Sequence, residues 1–137
     1  MPTPFIHLRA RSGYSLLQSA IQVKSLVKLA AKHDMPALGL ADANNLFGAL
    51  EFSEAAAEAG IQPIVGVTLS VKSEGGVDGT LALFAQNTLG YSNLMRISSA
   101  AFLEGDSNDE PHVLLPRVFE HAEGLIALTG GGEGVLA

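Results

Sequence analysis

Short apolar runs that read as strands alternate along this chain with stretches of helical periodicity, and that alternation limits the folds open to it. Val23, Leu26, Val27 and Ala30 recur at the spacing of one buried helical stripe, with Lys24, Lys28 and Lys32 on the opposite side. The pattern predicts strands over residues 5–9, 37–42, 63–71, 80–86 and 125–128. It predicts helices over 23–32, 46–59 and 89–101, with a short turn of helix at 116–120. Strands alternating with helices are the signature of a parallel α/β fold. Glu51, Glu54 and Glu58 mark the polar side of the second helix, and Gly60 beyond its end is the expected C-cap. The Lys and Glu stripes could meet across a helix seam, but exposed pairs contribute only ~0–1 kcal/mol, so two solvated faces are the plainer reading.

Two segments read as loops. Residues 72–79, Lys-Ser-Glu-Gly-Gly-Val-Asp-Gly, form a tight, hairpin-like connection, and residues 104–111, Glu-Gly-Asp-Ser-Asn-Asp-Glu-Pro, form an acidic one. A closed βα barrel needs about 250 residues. With 137 residues and four or five strands, the chain holds roughly half of one. An isolated half-barrel exposes two sheet edges and an unfinished core, so the piece alone is expected to self-associate.

Composition removes several function classes. The chain is 47% hydrophobic and has no cysteine, which excludes disulfides, thiolate catalysis and Cys-based zinc sites. It contains no run of 18 apolar residues and no signal-peptide pattern, so neither a membrane span nor a secretory leader is expected, and the location expected is cytoplasmic. A net charge of −6 argues against gripping a phosphate backbone, so no direct DNA contact is expected.

The candidate site begins at Phe5-Ile-His-Leu-Arg-Ala-Arg-Ser-Gly-Tyr-Ser15, read as a short strand entering a turn. Arg9 and Arg11 share one strand face, and His7 has the same parity, so it lines the same cleft if the strand stays regular. A guanidinium has no lone pair for a metal. The plainer reading of the two arginines is solvated charge, and of His7 an ordinary rim residue. Asp42 ends the second strand, where it could form the turn and cap the following helix. The sharper expectation is that Asp42 pairs with Arg9 or Arg11. His33, His112 and His121 are structural by default. Thr129-Gly-Gly-Gly-Glu-Gly134 lacks the spacing of a phosphate loop and reads as a turn. Ser15 has no base beside it in sequence, so nucleophilic catalysis has no support.

An ordered series of motifs carries a resemblance. The segment 5–18, then Met35-Pro-Ala-Leu-Gly-Leu-Ala-Asp-Ala-Asn-Asn-Leu-Phe-Gly48, Ala59-Gly-Ile-Gln-Pro-Ile-Val-Gly-Val-Thr68, Asn87-Thr-Leu-Gly-Tyr-Ser-Asn-Leu-Met95 and Thr129-Gly-Gly together resemble the PHP domain found in bacterial replicative DNA polymerase III alpha subunits. The series covers nearly the whole chain. The resemblance implies the first half of a distorted seven-stranded βα barrel of PHP, TIM-like type with mostly parallel strands. Residues 1–137 would then be the N-terminal portion of a single, truncated PHP domain with no second domain.

In metal-binding members of that family the first strand ends in His-x-His, where this chain resembles Arg9 and Arg11. A following acidic ligand falls at Gln18, a strand-end Asp-His pair at Asp42 and Ala43, and a glutamate at Thr68. The resemblance thus implies a degenerate, noncatalytic segment with no metal of its own, Mg²⁺ being expected only in the polymerase modules of the parent. Its implied role is a structural scaffold for the rest of the alpha subunit and a docking region for the separate proofreading exonuclease subunit. The alternative is an active metal-dependent phosphoesterase or 3′–5′ proofreading nuclease of the PHP type.

Overall fold

The stretch Gln-Pro-Ile-Val-Gly-Val-Thr-Leu-Ser-Val-Lys supplies the long strand on which the rest of the sheet is built. In the computed structural model, residues 5–15, 21–72, 78–103 and 111–128 are described. In chain order these form α1 (Val23–Lys32), β1 (Ala37–Ala43), α2 (Ala49–Glu58), β2 (Gln62–Lys72), β3 (Asp78–Ala85), α3 (Thr88–Leu103), β4 (Val113–Leu114), α4 (Leu115–Glu120) and β5 (Leu125–Leu128). Helix α1 and strand β5 occupy the expected residues, the other expected elements after residue 23 shift by a few residues at their ends, and no strand forms over residues 5–9. The two-residue β4 has no counterpart in the expectation.

The sheet is mixed, which corrects the mostly parallel arrangement expected. Strand β1 runs parallel to β2, and β4 parallel to the far end of β2. Strand β3 returns antiparallel to β2, and β5 is antiparallel to β3. The reason is connection length: α2 bridges β1 to β2, whereas the link between Lys72 and Asp78 is far too short for a crossover helix. The described strands make one five-stranded sheet with order β1-β2-β3-β5 and β4 beside β2, and a seven-stranded barrel is not seen among the described residues.

The leading segment is less regular than the strand expected over 5–9. It lies parallel against β1 through one bridge, Ala10 to Leu40. The Gly39 amide donates to the His7 carbonyl (2.7 Å), Ala10 to Gly39 (3.2 Å), and Ala41 to Ala10 (2.9 Å). The approach is so close that a Cβ on Gly39 would sit 2.7 Å from Leu8 Cα, which accounts for glycine there.

One face of the sheet is covered by helices. Val67, Leu69, Val71, Leu81 and Leu83 pack beneath Leu94, Ile97 and Ala101 of α3 and Val118 of α4. Leu38 and Leu40 pack beneath Val23, Val27 and Ala30 of α1 and Phe52 and Ala56 of α2. Strand alternation puts Ala41, Ala82 and Phe84 on the other face, in a smaller cluster. Helix α2 ends as its sequence predicts. Gly60 takes φ +74 and donates to Ala57 (3.2 Å), while Ile61 donates to Ala56 (2.9 Å), a Schellman exit with Ile61 and Ala56 in one core cluster. Helix α1 repeats this exit with Asp34 at φ 55 in the glycine position. The Lys24–Lys28 and Glu51–Glu54–Glu58 faces line one shallow groove between α1 and α2. None of the described helices is long and apolar enough to cross a membrane.

Candidate functional site

The C-terminal end of β1 carries a buried carboxylate with an unusual set of partners. By alternation Asp42 shares the helix-covered face with Leu38 and Leu40. It is 2% exposed. Its Oδ1 accepts hydrogen bonds from the Ser12 amide (2.6 Å) and the Ser15 hydroxyl (2.7 Å), and its Oδ2 accepts from the Ser12 hydroxyl (2.7 Å). Both serines are themselves buried.

The serines complete the knot in the other direction. Ser12 Oγ accepts from the Tyr14 amide (3.2 Å), and Ser15 Oγ accepts from the Ala43 amide (2.9 Å). A backbone bond from Ser15 N to Ser12 O (3.0 Å) closes the turn. The turn 12–15 is therefore fixed to the rim of β1 through a carboxylate that uses both of its oxygens. Three donors on one carboxylate, two of them hydroxyls, hold its charge away from water.

The loop after β1 is braced in the same manner. Asn45 Nδ2 donates to the carbonyls of Tyr14 (2.8 Å) and Ala43 (3.1 Å), and its Oδ1 accepts from the Phe47 amide (3.2 Å). Asn44, at φ 59, accepts from the Ser70 amide through Oδ1 (2.9 Å) and donates through Nδ2 to the Ser70 hydroxyl (3.3 Å). Gly48 leaves room for this arrangement, since a Cβ there would sit 3.1 Å from the Tyr14 ring and 3.5 Å from Asp42 Oδ2.

The positions expected to share one cleft are divided by the sheet. Ala43 and Thr68 are register partners across β1 and β2, on the face opposite Asp42. Thr68 is buried, and its hydroxyl donates to the Ala41 carbonyl (2.9 Å). Arg9 and His7 are exposed on the leading segment, where the His7 ring meets Phe5 edge-on at 4.6 Å, and Arg11 is half-buried. Gln18 lies outside the described residues, as does the glycine-rich turn at 129–134. His33 and His121 stand at the C-caps of α1 and α4.

The expected pairing of Asp42 with an arginine is replaced by the serine knot. Among the described residues no ion pair joins Asp42 to Arg9 or Arg11. The physical reason is desolvation: seating a guanidinium beside a buried carboxylate strips water from two ions, whereas hydroxyls and an amide satisfy the charge at lower cost.

The same geometry bears on a metal. The described positions offer one carboxylate whose oxygens already face three donors, together with guanidinium, methyl and threonine side chains. Among the described residues, no three His, Asp or Glu side chains come together. Nor does any buried side-chain N or O atom there lack a partner that a missing ion could supply. This donor set does not fit a divalent cation, which needs several N or O ligands with free lone pairs.

Sequence reasoning assigns no role to Ser12 and considers Ser15 only as a nucleophile. Their partner lies 27–30 residues away. The available signal was the pattern Ser-x-x-Ser after the leading segment together with an Asp ending an otherwise apolar strand, a buried charge that needs local donors.

The PHP domain profile matches residues 7–137. DNA polymerase III subunit alpha of Caulobacter vibrioides is 50% identical over 137 residues, covering 95% of this chain and 12% of the relative. The same subunit of Rickettsia bellii is 43% identical over 99% of this chain, and that of Vibrio cholerae 40% identical over 95%. The chain thus spans only 11–12% of the length of these curated relatives. Among solved structures, one from Bifidobacterium adolescentis, assigned as a metal-dependent phosphoesterase, superposes with TM-score 0.54 at 18% identity, covering all of this chain and 48% of the other. An amidohydrolase from Chromobacterium violaceum gives TM-score 0.50 at 22% identity over 69% of this chain and 33% of the other. At these identities the structural likeness concerns the fold.

Proposed function

The chain belongs to the PHP domain family, and from that premise we propose that it is a noncatalytic scaffold segment of a DNA polymerase III alpha-type polypeptide. Support for the polymerase setting comes from relatives of that name at 40–50% identity along nearly the whole chain. In this reading the parent performs template-directed nucleotidyl transfer with Mg²⁺ held by modules outside these residues. The segment holds no metal, braces its neighbouring modules and offers a surface to a proofreading exonuclease subunit.

One observation carries the noncatalytic part: the Asp42 carboxylate is spent on Ser12 and Ser15. A PHP-type phosphoesterase or nuclease needs carboxylates and imidazoles converging on ions that activate water. Here the strand-end carboxylate turns to the helix side of the sheet, and its neighbour positions carry Ala43 and Thr68 on the other. The phosphoesterase reading has no comparable observation behind it.

The test is metal content by plasma mass spectrometry after incubation with Zn²⁺ and Mn²⁺ and removal of loosely held ion. Substoichiometric metal is expected. One or more tightly held ions per segment, with hydrolysis of a phosphoester, would overturn the reading.

A further inference from the structure

The rings of Tyr14, Phe47 and Phe102 form a continuous strip at the rim where β1 ends. Tyr14 and Phe47 have centroids 6.4 Å apart at 73°, and Phe47 and Phe102 are 6.4 Å apart at 31°. The three are 41%, 67% and 50% exposed. They come from segments distant in sequence: the serine turn, the loop after β1, and the last turn of α3. Their supports are nonetheless buried. Tyr14 sits between the two serines of the knot, and Asn45 ties its carbonyl to the Phe47 amide. Ala101, next to Phe102, lies in the core. The strip is thus presented by fixed backbone, which lowers the ordering cost of association. Exposed aromatics held in this way are the typical centre of a protein interface.

We propose that the strip is an intramolecular interface, on which a further part of a longer polymerase-alpha-type polypeptide seats and buries all three rings. The proposal rests on the polymerase reading above and deepens it by naming the surface. The occupant is argued from length and charge. Relatives matched along 95–99% of this chain extend far beyond it, since the match covers only 11–12% of each. A second copy is disfavoured by a net charge of −6 on each chain and by Glu51, whose Oε2 lies 3.5 Å from Tyr14 Oη at the strip's border. That same carboxylate opposes a base-stacking platform for single-stranded nucleic acid, which takes a positive groove. The surface that fits is apolar at its centre with a basic residue facing Glu51.

Hydroxyl-radical footprinting of the complete natural polypeptide tests this, with each ring's rate referred to the same residue in urea. Rings left 41–67% exposed would slow only about twofold on folding, in proportion to their exposure. Rings in a water-excluding interface core slow far more than that, and such strong slowing that survives dilution is the expected result. Twofold slowing overturns the proposal. Protection that fades on dilution assigns the strip to a second copy, and protection that needs an added protein assigns it to a separate partner; each also overturns it. A nucleotide-incorporation assay on the same preparation separates the two readings. Absent incorporation with protected rings removes the polymerase reading and keeps the interface, while full incorporation with unprotected rings does the reverse.

Discussion

Replacing Asp42 by alanine removes the acceptor of the Ser12 amide and of both serine hydroxyls, and the structure gives the size of the loss. The Ser12 amide is buried at 2.6 Å from Oδ1 and has no second partner in the knot, so leaving it unpaired costs about 1–3 kcal/mol. The two hydroxyls keep their acceptor roles toward Tyr14 N and Ala43 N but lose their charge-assisted bonds, about 1 kcal/mol each. Together with the small void, Asp42→Ala is expected to cost about 3–5 kcal/mol, a large share of the 5–15 kcal/mol typical of a domain. Asp42→Asn provides the control. Its Oδ1 can still accept from Ser12 N and Ser15 Oγ, while Nδ2 can donate to a rotated Ser12 hydroxyl, so about 1–2 kcal/mol is lost. Urea unfolding, read as midpoint shifts at constant slope, separates the pair: a loss of about 4 kcal/mol moves the midpoint by roughly 2 M, that of Asn by less than about 1 M. A loss below about 1 kcal/mol for Asp42→Ala would refute the assignment of the knot as the main brace of this rim. So would wild-type stability that rises with added Zn²⁺ or Mn²⁺, because the carboxylate would then be answering to an ion.

Gly39→Ala drives a methyl into the Leu8 backbone and is expected to cost about 1–3 kcal/mol. Hydrogen exchange at the residue 39 amide, bonded to His7 O, should accelerate, and unchanged protection there would count against the close approach. Asp34→Gly relieves a left-handed residue at the exit of α1 and is expected to raise stability by up to about 1 kcal/mol, whereas Gly60→Ala at φ +74 lowers it by about 1 kcal/mol in thermal unfolding. Asn44→Ala removes both bonds to Ser70 and strains φ 59, so it should lose about 2 kcal/mol, with Asn44→Gly recovering the backbone part.

Local signals were read well from the residues. The apolar stripe of α1, the glycine closing α2, and the short link between β2 and β3 each depend on a few adjacent residues, and each appears as expected. Strand direction was harder to read, because an apolar run carries no arrow. The short link after β2 required the antiparallel return of β3, whereas the alternation of strands with helices and the family resemblance both pointed to a parallel sheet. The two residues of β4 pair with the far end of β2 and carry no periodicity of their own. At the site, Asp42 was identified, but its partners were sought among the conspicuous cations rather than among two serines. Charge is visible in a sequence, while the desolvation that disfavours burying a guanidinium emerges only once the face of the strand is known.

The separation in sequence across the knot also orders events in time. The hairpin of β2 and β3 closes a short loop and can zip early, whereas Ser12 meets Asp42 only after a sequence separation of 30 is closed and β1 has found β2. Bonds made that late are largely absent from the folding transition state, so their contribution falls on the rate of opening rather than the rate of closing. The serine turn is then a latch: it does little to guide the chain to its fold, and its loss would show as a faster unfolding limb with folding rate nearly unchanged.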